Sequence, residues 1–162
     1  MIFCSSKRVG LRQIKKNPSM TKSRILVVIQ FTAILLYAIS GPLIAAVFWL
    51  QALELIGIAL AAWAILVMNP LRVSVFPEPR HDGELIERGP YAFIRHPMYS
   101  SILIIAAALT IDRLDVTSGV LFSVLITNQV VKLKYEESMM REKYPSYAEY
   151  MKRTKALVPF IF

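Results

Sequence analysis

The sequence predicts an all-α integral membrane protein: a bundle of about four transmembrane helices, a cytoplasmic loop cap and interfacial helices at the C-terminal end. Three observations predict it. Of 162 residues, 56% are apolar and 19% charged, and the mean hydropathy is +0.51, whereas soluble domains are roughly 45 to 50% apolar. Apolar segments recur at about 25–40, 43–68, 99–111 and 116–133, near the roughly 20 residues that a bilayer requires. Finally, the cations are sorted. Of 19 Lys and Arg, every one except Arg113 lies before the first span, between the second and third, or at and beyond the end of the fourth.

Taken in order, residues 1–24 form a basic N-terminal segment, and residues 25–68 carry the first two spans. The first span is short. The second is long and uninterrupted by proline. The middle loop, 69–97, holds Pro70, Pro77, Pro79, Gly83, Gly89, Pro90 and Pro97, spaced so that no long helix forms. Its prolines alternate with Phe76, Leu85, Ile86, Tyr91, Phe93 and Ile94, which suggests a folded cap rather than a linker. The third span, about 13 residues, is too short for a straight crossing, so tilt, partial spanning or a re-entrant path is expected. A short turn at 112–115 then closes a hairpin with the fourth span. From Lys134 to Lys155, tyrosines and methionines interleave with charges, the composition of an interfacial helix lying along the headgroups. Pro145 should break it, and Ser146 with Glu149 has the spacing of a capping box for a second short helix.

The charge pattern orients the chain. With four crossings the positive-inside rule puts both termini, the middle loop and any site built on them in the cytoplasm. Cations at the inner leaflet attract anionic headgroups, so the net charge of +8 calls for no nucleic-acid partner. The single cysteine, Cys4, provides neither a disulfide framework nor a cysteine-based metal site.

Two constellations carry chemistry. In GPYAFIRHPMYSS, Pro97 suits the first turn of the third span, which leaves Arg95 and His96 just outside a helix N-terminus, where unpaired N–H groups favour an anion. The bland alternative is an arginine anchored to lipid phosphate and a histidine capping the helix. The second constellation is Glu136-Glu137. Two adjacent acids beside a membrane are costly unless hydrated or paired, and Lys132, Lys134 and Arg141 are available at helical spacing. Because spans three and four form a hairpin, the Arg-His turn and the acidic pair should share one pocket with a positive and a negative wall. A ligand bearing carboxylate, ammonium and sugar hydroxyls fits such a pocket, and S-adenosylmethionine bears all three. Methyl transfer from it is an in-line displacement that needs positioning and water exclusion but no metal.

GPYAFIRHPMY, followed by YEESMMREKYPSYAEYMKR and a closing VPFIF, resembles the integral-membrane methyltransferases that include isoprenylcysteine carboxyl methyltransferase and the phospholipid N-methyltransferases. The resemblance covers about 53–162. It implies cofactor contacts for Leu85, Ile86, Tyr91, His96, Pro97, Tyr99 and Glu136, with Arg95 and Glu137 in support. It also implies that Lys132 stands where eukaryotic relatives have an arginine that meets the acceptor carboxylate. The candidate catalytic residues are therefore His96, Lys132 and Arg95. The implied partners are a lipophilic or lipid-modified acceptor and the membrane, with no oligomeric state indicated. Two departures stand out. Ser100-Ser101 replaces a glycine that commonly follows the motif, which could narrow close packing, and lysine at 132 lacks the bidentate fork of arginine, which leaves the acceptor open.

Other residues stand apart from these constellations. Glu54 lies inside an apolar span and is by default a functional candidate, with pairing to Asn128 or Gln129 as the structural alternative. His81 reads as a solvated loop residue, and Trp49 and Trp63 as packing or interface residues. Two other classes stay open. Membrane sterol and enone reductases that bind NADPH have a related layout, but their turn typically reads RHxNY and their acidic segment RDE. The remaining class is a non-catalytic membrane scaffold.

Overall fold

A computed structural model of the chain describes residues 18–70, 74, 76 and 85–158. The basic segment up to residue 17, most of the middle loop and His81 lie outside the described residues. Among the described residues five α-helices follow one another: α1 (Pro18–Ser40), α2 (Phe48–Met68), α3 (Pro97–Arg113), α4 (Val116–Lys143) and α5 (Tyr147–Arg153), with a 3₁₀ turn at Gly89–Ala92 before α3. No strand occurs among the described residues, only one parallel bridge between Ile94 and Lys155.

Helices α1, α2 and α4 are each long and apolar enough to cross a membrane. Helix α3, with 17 residues, rises about 25 Å and is the short fourth member. It packs chiefly on α2, α1 packs on α4, and α3 joins the two pairs through α4. Gly57 makes the α2–α3 approach possible, since a Cβ there would stand 2.7 Å from Ile105 Cγ1 and 3.2 Å from the Ser101 carbonyl oxygen. The close packing that Ser100-Ser101 was expected to narrow is thus supplied by a glycine on the opposite helix. The Tyr37 hydroxyl donates to the Ser118 carbonyl at 2.9 Å and lies 2.6 Å from Thr110 Oγ1, pinning α1 to both α3 and α4. Many large apolar residues face outward, among them Val28, Leu35, Leu55 and Leu66. Such a surface suits lipid rather than water.

One end of the bundle is tied by short polar contacts. Residues 41–47 are a loop rather than the start of α2, because polar side chains take up their backbone groups. Asp112 accepts from the amides of Ala46 and Val47 at 2.9 and 3.3 Å. Glu54 accepts from the Ala45 amide at 3.2 Å, and Gln51 donates to the Ala45 carbonyl at 2.9 Å. Glu54 therefore does not pair with Asn128 or Gln129, whose amide atoms find no hydrogen-bond partner. Arg113, the cation on this side, donates to the Tyr37 carbonyl, Ser40 Oγ and the Pro42 carbonyl, closing the C-terminal end of α1. The α3–α4 hairpin turns at Leu114, in the left-handed region (φ 48°). Asp115 then caps α4 by accepting from the Ser118 amide at 3.0 Å.

Beyond position 133 the expectation is corrected. No separate interfacial helix starts at 134. Helix α4 runs unbroken to Lys143 because no proline interrupts it before Pro145. Helix α5 begins at Tyr147 as anticipated, but Ser146 makes no side-chain cap and Glu149 pairs with Lys152 at 2.7 Å instead.

Candidate functional site

At the other end of the bundle the Arg-His turn, the acidic pair and the C-terminal segment converge. Gly89 opens the 3₁₀ turn with φ +61°, and a Cβ there would meet Val67 Cγ2 at 2.7 Å, so both backbone and space demand glycine. Pro90 and Tyr91 are buried beneath it. The next residues pair with the chain's end: the amides of Arg95 and His96 donate to the carbonyls of Lys155 and Ala156 at 2.8 and 3.1 Å, and the Lys155 amide donates to Phe93 at 3.2 Å. Ser100 adds its hydroxyl to the Leu157 carbonyl at 2.6 Å, which is what the serine in place of glycine does here. Tyr150 fastens α5 by donating to the Tyr91 carbonyl at 2.7 Å. The Arg95 and His96 amides before α3 are thus engaged by the chain itself.

Helix α4 brings Glu136 and Glu137 to that turn. Arg95 Nε donates to Glu137 Oε1 at 2.6 Å, and its other end donates to the Thr154 carbonyl at 2.6 Å. His96 stands between the two acids, with Nε2 3.3 Å from Glu137 and Nδ1 3.6 Å from Glu136. Its ring stacks on Tyr99, with centroids 5.2 Å apart and planes 1° from parallel. The Tyr99 hydroxyl donates to Glu136 Oε2 at 2.6 Å. Lys132, one turn deeper and almost fully buried, lies 5.1 Å from the Tyr99 ring centroid and donates to Gln30 Oε1 of α1 at 2.9 Å. Thus Arg95, His96, Pro97, Tyr99, Lys132, Glu136 and Glu137 are brought together with Tyr91 close by. Leu85 and Ile86 are half-buried on the stretch leading into the 3₁₀ turn.

The two acids are not equivalent. Glu137's side chain is 10% exposed and held by Arg95 and His96, whereas Glu136's is 25% exposed and keeps room for a ligand. Around them the tyrosines stay protonated beyond the ordinary range. Burial pushes the Tyr91 phenol up, helped by the nearby Glu136 carboxylate, and it pushes Tyr147 up, helped by Glu137. Tyr150 is raised chiefly by burial as well. A cavity of about 660 Å³, almost wholly apolar, opens between α2 and α3 beneath the turn, walled by Leu60, Trp63, Phe93, Ile94, Leu103 and Leu157. Trp63 therefore faces this cavity, and both it and Trp49 are exposed.

Sequence reasoning missed Gln30 and the C-terminal carbonyls of Thr154 through Leu157. A glutamine inside an apolar span was the available signal for the first. The closing VPFIF was noticed, but backbone acceptors leave no trace in residue type.

Comparison with known proteins agrees with this layout. The family model for phospholipid methyltransferases matches residues 50–147, which take in α2, the turn, α3 and the acidic pair of α4. The chain is also similar to the cobalt-zinc-cadmium resistance protein CzcN of Cupriavidus metallidurans, 27% identical over 112 residues, or 68% of this chain. It spans about half the length of that curated relative, 49%. The chain belongs to the phospholipid methyltransferase family of membrane methyltransferases.

Proposed function

We propose that this family member transfers a methyl group from S-adenosylmethionine to a lipophilic or lipid-modified acceptor held in the bilayer, with residues 69–162 as its catalytic region. The observation that carries this reading is the contiguous polar chain Lys132–Tyr99–Glu136–His96–Glu137–Arg95, set beside an apolar cavity. The donor set fits the cofactor. Glu136 has exposed carboxylate surface for an ammonium or ribose hydroxyls, buried aromatic rings flank it, and Tyr91, Leu85 and Ile86 border the same turn. When bound there, S-adenosylmethionine supplies an electrophilic methyl on a sulfonium.

The chain's own groups do the positioning. Glu137, held by Arg95, fixes His96. His96, with a carboxylate facing each ring nitrogen, fixes Glu136 and stacks Tyr99 in place, so it orients rather than abstracts. Lys132 gives the acceptor's polar head a cation at the edge of the apolar region. A carboxylate acceptor arrives ionised and needs no base from this chain; the bound cofactor would supply the methyl that its oxygen takes, with a neutral thioether left behind. The apolar walls exclude water, which strengthens these charge contacts and prevents hydrolysis.

The cation distribution supports a cytoplasmic position for this end of the bundle and for both termini. The cofactor then arrives from water and the acceptor laterally from the membrane. Purified protein incubated with methyl-labelled S-adenosylmethionine and a membrane lipid extract should move label into the organic phase. Label retained in water, together with NADPH oxidation by an enone, would support the reductase reading instead.

A further inference from the structure

Helix α1 lies outside the segment, residues 50–147, that matches the family model, yet it sends one polar side chain to the site. Gln30 is 7% exposed, and its Oε1 accepts from Lys132 Nζ of α4 at 2.9 Å. Both residues sit in helices long and apolar enough to cross a membrane, where a carboxamide and an ammonium are each costly and call for a reason.

The plain reason is adhesion between helices, which polar pairs supply in membranes. Two observations point further. Adhesion is already provided on the same face of α1, where Ala33 and Tyr37 join Leu109 of α3 and Leu121 and Leu125 of α4 in one buried apolar cluster. The ammonium that Gln30 holds is also shared with the site, since Lys132 Nζ lies 5.1 Å from the centroid of the Tyr99 ring, within the range of cation–π attraction. Tyr99 in turn donates to Glu136 Oε2 at 2.6 Å, the short distance of a hydroxyl bonded to a charged acceptor. A cation beside a phenol ring draws electron density from its oxygen and makes the hydroxyl a stronger donor. Such contacts in series reinforce one another where the dielectric is low. A carboxamide suits the first position of this series. It takes one of the ammonium's three N–H donors and brings no charge of its own, so it fixes where the cation stands without cancelling its field at the ring.

We propose that Gln30 is a positioning residue of the site: through Lys132 it sets the orientation and donor strength of Tyr99, and through Tyr99 it sets the carboxylate of Glu136. The effect on cofactor affinity rests on the methyl-transfer reading, whereas the link from Gln30 to Tyr99 stands without it.

The test uses the full chain in detergent, with fluorotyrosine in place of its seven tyrosines. The fluorine resonance that disappears in Tyr99→Phe belongs to Tyr99. Gln30→Met keeps the side chain's length and removes its acceptor, and it should shift the Tyr99 resonance more than any other. In unlabelled protein, Gln30→Met should weaken binding of S-adenosylhomocysteine about 3-fold or more, the loss of one buried hydrogen bond passed on to the site. In the Tyr99→Phe protein the same substitution should change that affinity by less than about 1.5-fold, because the path is already cut. If Gln30→Met does not fold, Gln30→Asn, which withdraws the amide by one methylene, takes its place with the same expectations. An unmoved Tyr99 resonance would overturn the proposal. So would an affinity that is unchanged, or that falls equally in both backgrounds, as it would if Gln30 only glued α1 to α4. A wild-type protein that binds no S-adenosylhomocysteine would remove the methyl-transfer reading, and the resonance would then decide the link from Gln30 to Tyr99 by itself.

Discussion

Glu136 and Glu137 are neighbours in sequence, yet their surroundings give them different work. Glu137 is closed in by Arg95 and His96, so Arg95→Ala leaves a partly buried carboxylate without its main partner. The expected cost is about 3 kcal/mol of stability, read as a lowered unfolding midpoint in detergent. Glu136 is the acid with free surface. Tyr99→Phe deletes one hydrogen bond to it, and affinity for S-adenosylhomocysteine should fall by roughly 10-fold or somewhat more, since bonds to charged groups contribute about 1.5 kcal/mol or somewhat more. Calorimetry on the folded variant checks this. The acidic pair and the Arg-His turn were legible in the sequence because each is a dense local cluster. Gln30 was not, because its contact with Lys132 spans 102 positions and nothing local couples a glutamine in α1 to a lysine in α4.

Among the elements, those bounded by strong local signals were read closely. Pro97 starts α3, Asp115 starts α4, and Pro145 ends the helical path after it. Misreadings came where composition shifted without a breaker. Charges beginning at Lys134 suggested a new interfacial helix, but hydrogen bonding along a helix continues through charged residues unless a backbone donor is lost. The start of α2 was read five residues early because 43–47 is apolar. Only the partners Asp112 and Glu54, brought in by folding, show that its amides are used elsewhere. At Gly57, α2 and the shorter α3 touch through a single absent side chain. Gly57→Val should destabilise by roughly 1–3 kcal/mol through overpacking against Ile105 and the Ser101 carbonyl, measured as a shift in thermal unfolding.

At the scale of the molecule, two ends of one bundle do different jobs. One is a polar clasp of loops, and the other joins the turn, α4, α5 and the C-terminal strand-like segment into a cap. The buried phenols of Tyr91, Tyr147 and Tyr150 knit that cap, and each is raised above its ordinary 10.0. Raised acid groups keep their protons longer in the folded state than in the unfolded one. Their contribution is therefore complete below pH 10 and declines as pH rises above it. Thermal stability should hold level through neutral pH and drop above pH 10, with the tyrosinate absorbance of Tyr91, Tyr147 and Tyr150 appearing only as the protein unfolds. The fold class was legible because hydropathy and cation sorting are properties of whole segments. The cap was legible only in part, since its joints are bonds to backbone carbonyls between residues about 60 apart. The central claim is that Glu136, oriented by His96 and Tyr99, holds S-adenosylmethionine. Titration calorimetry of the purified protein with S-adenosylhomocysteine and, separately, NADPH tests it most directly. Wild type should bind the first and not the second, and Glu136→Gln should weaken binding by at least about 10-fold. Equal affinity in wild type and Glu136→Gln, or tight binding of NADPH alone, would contradict it.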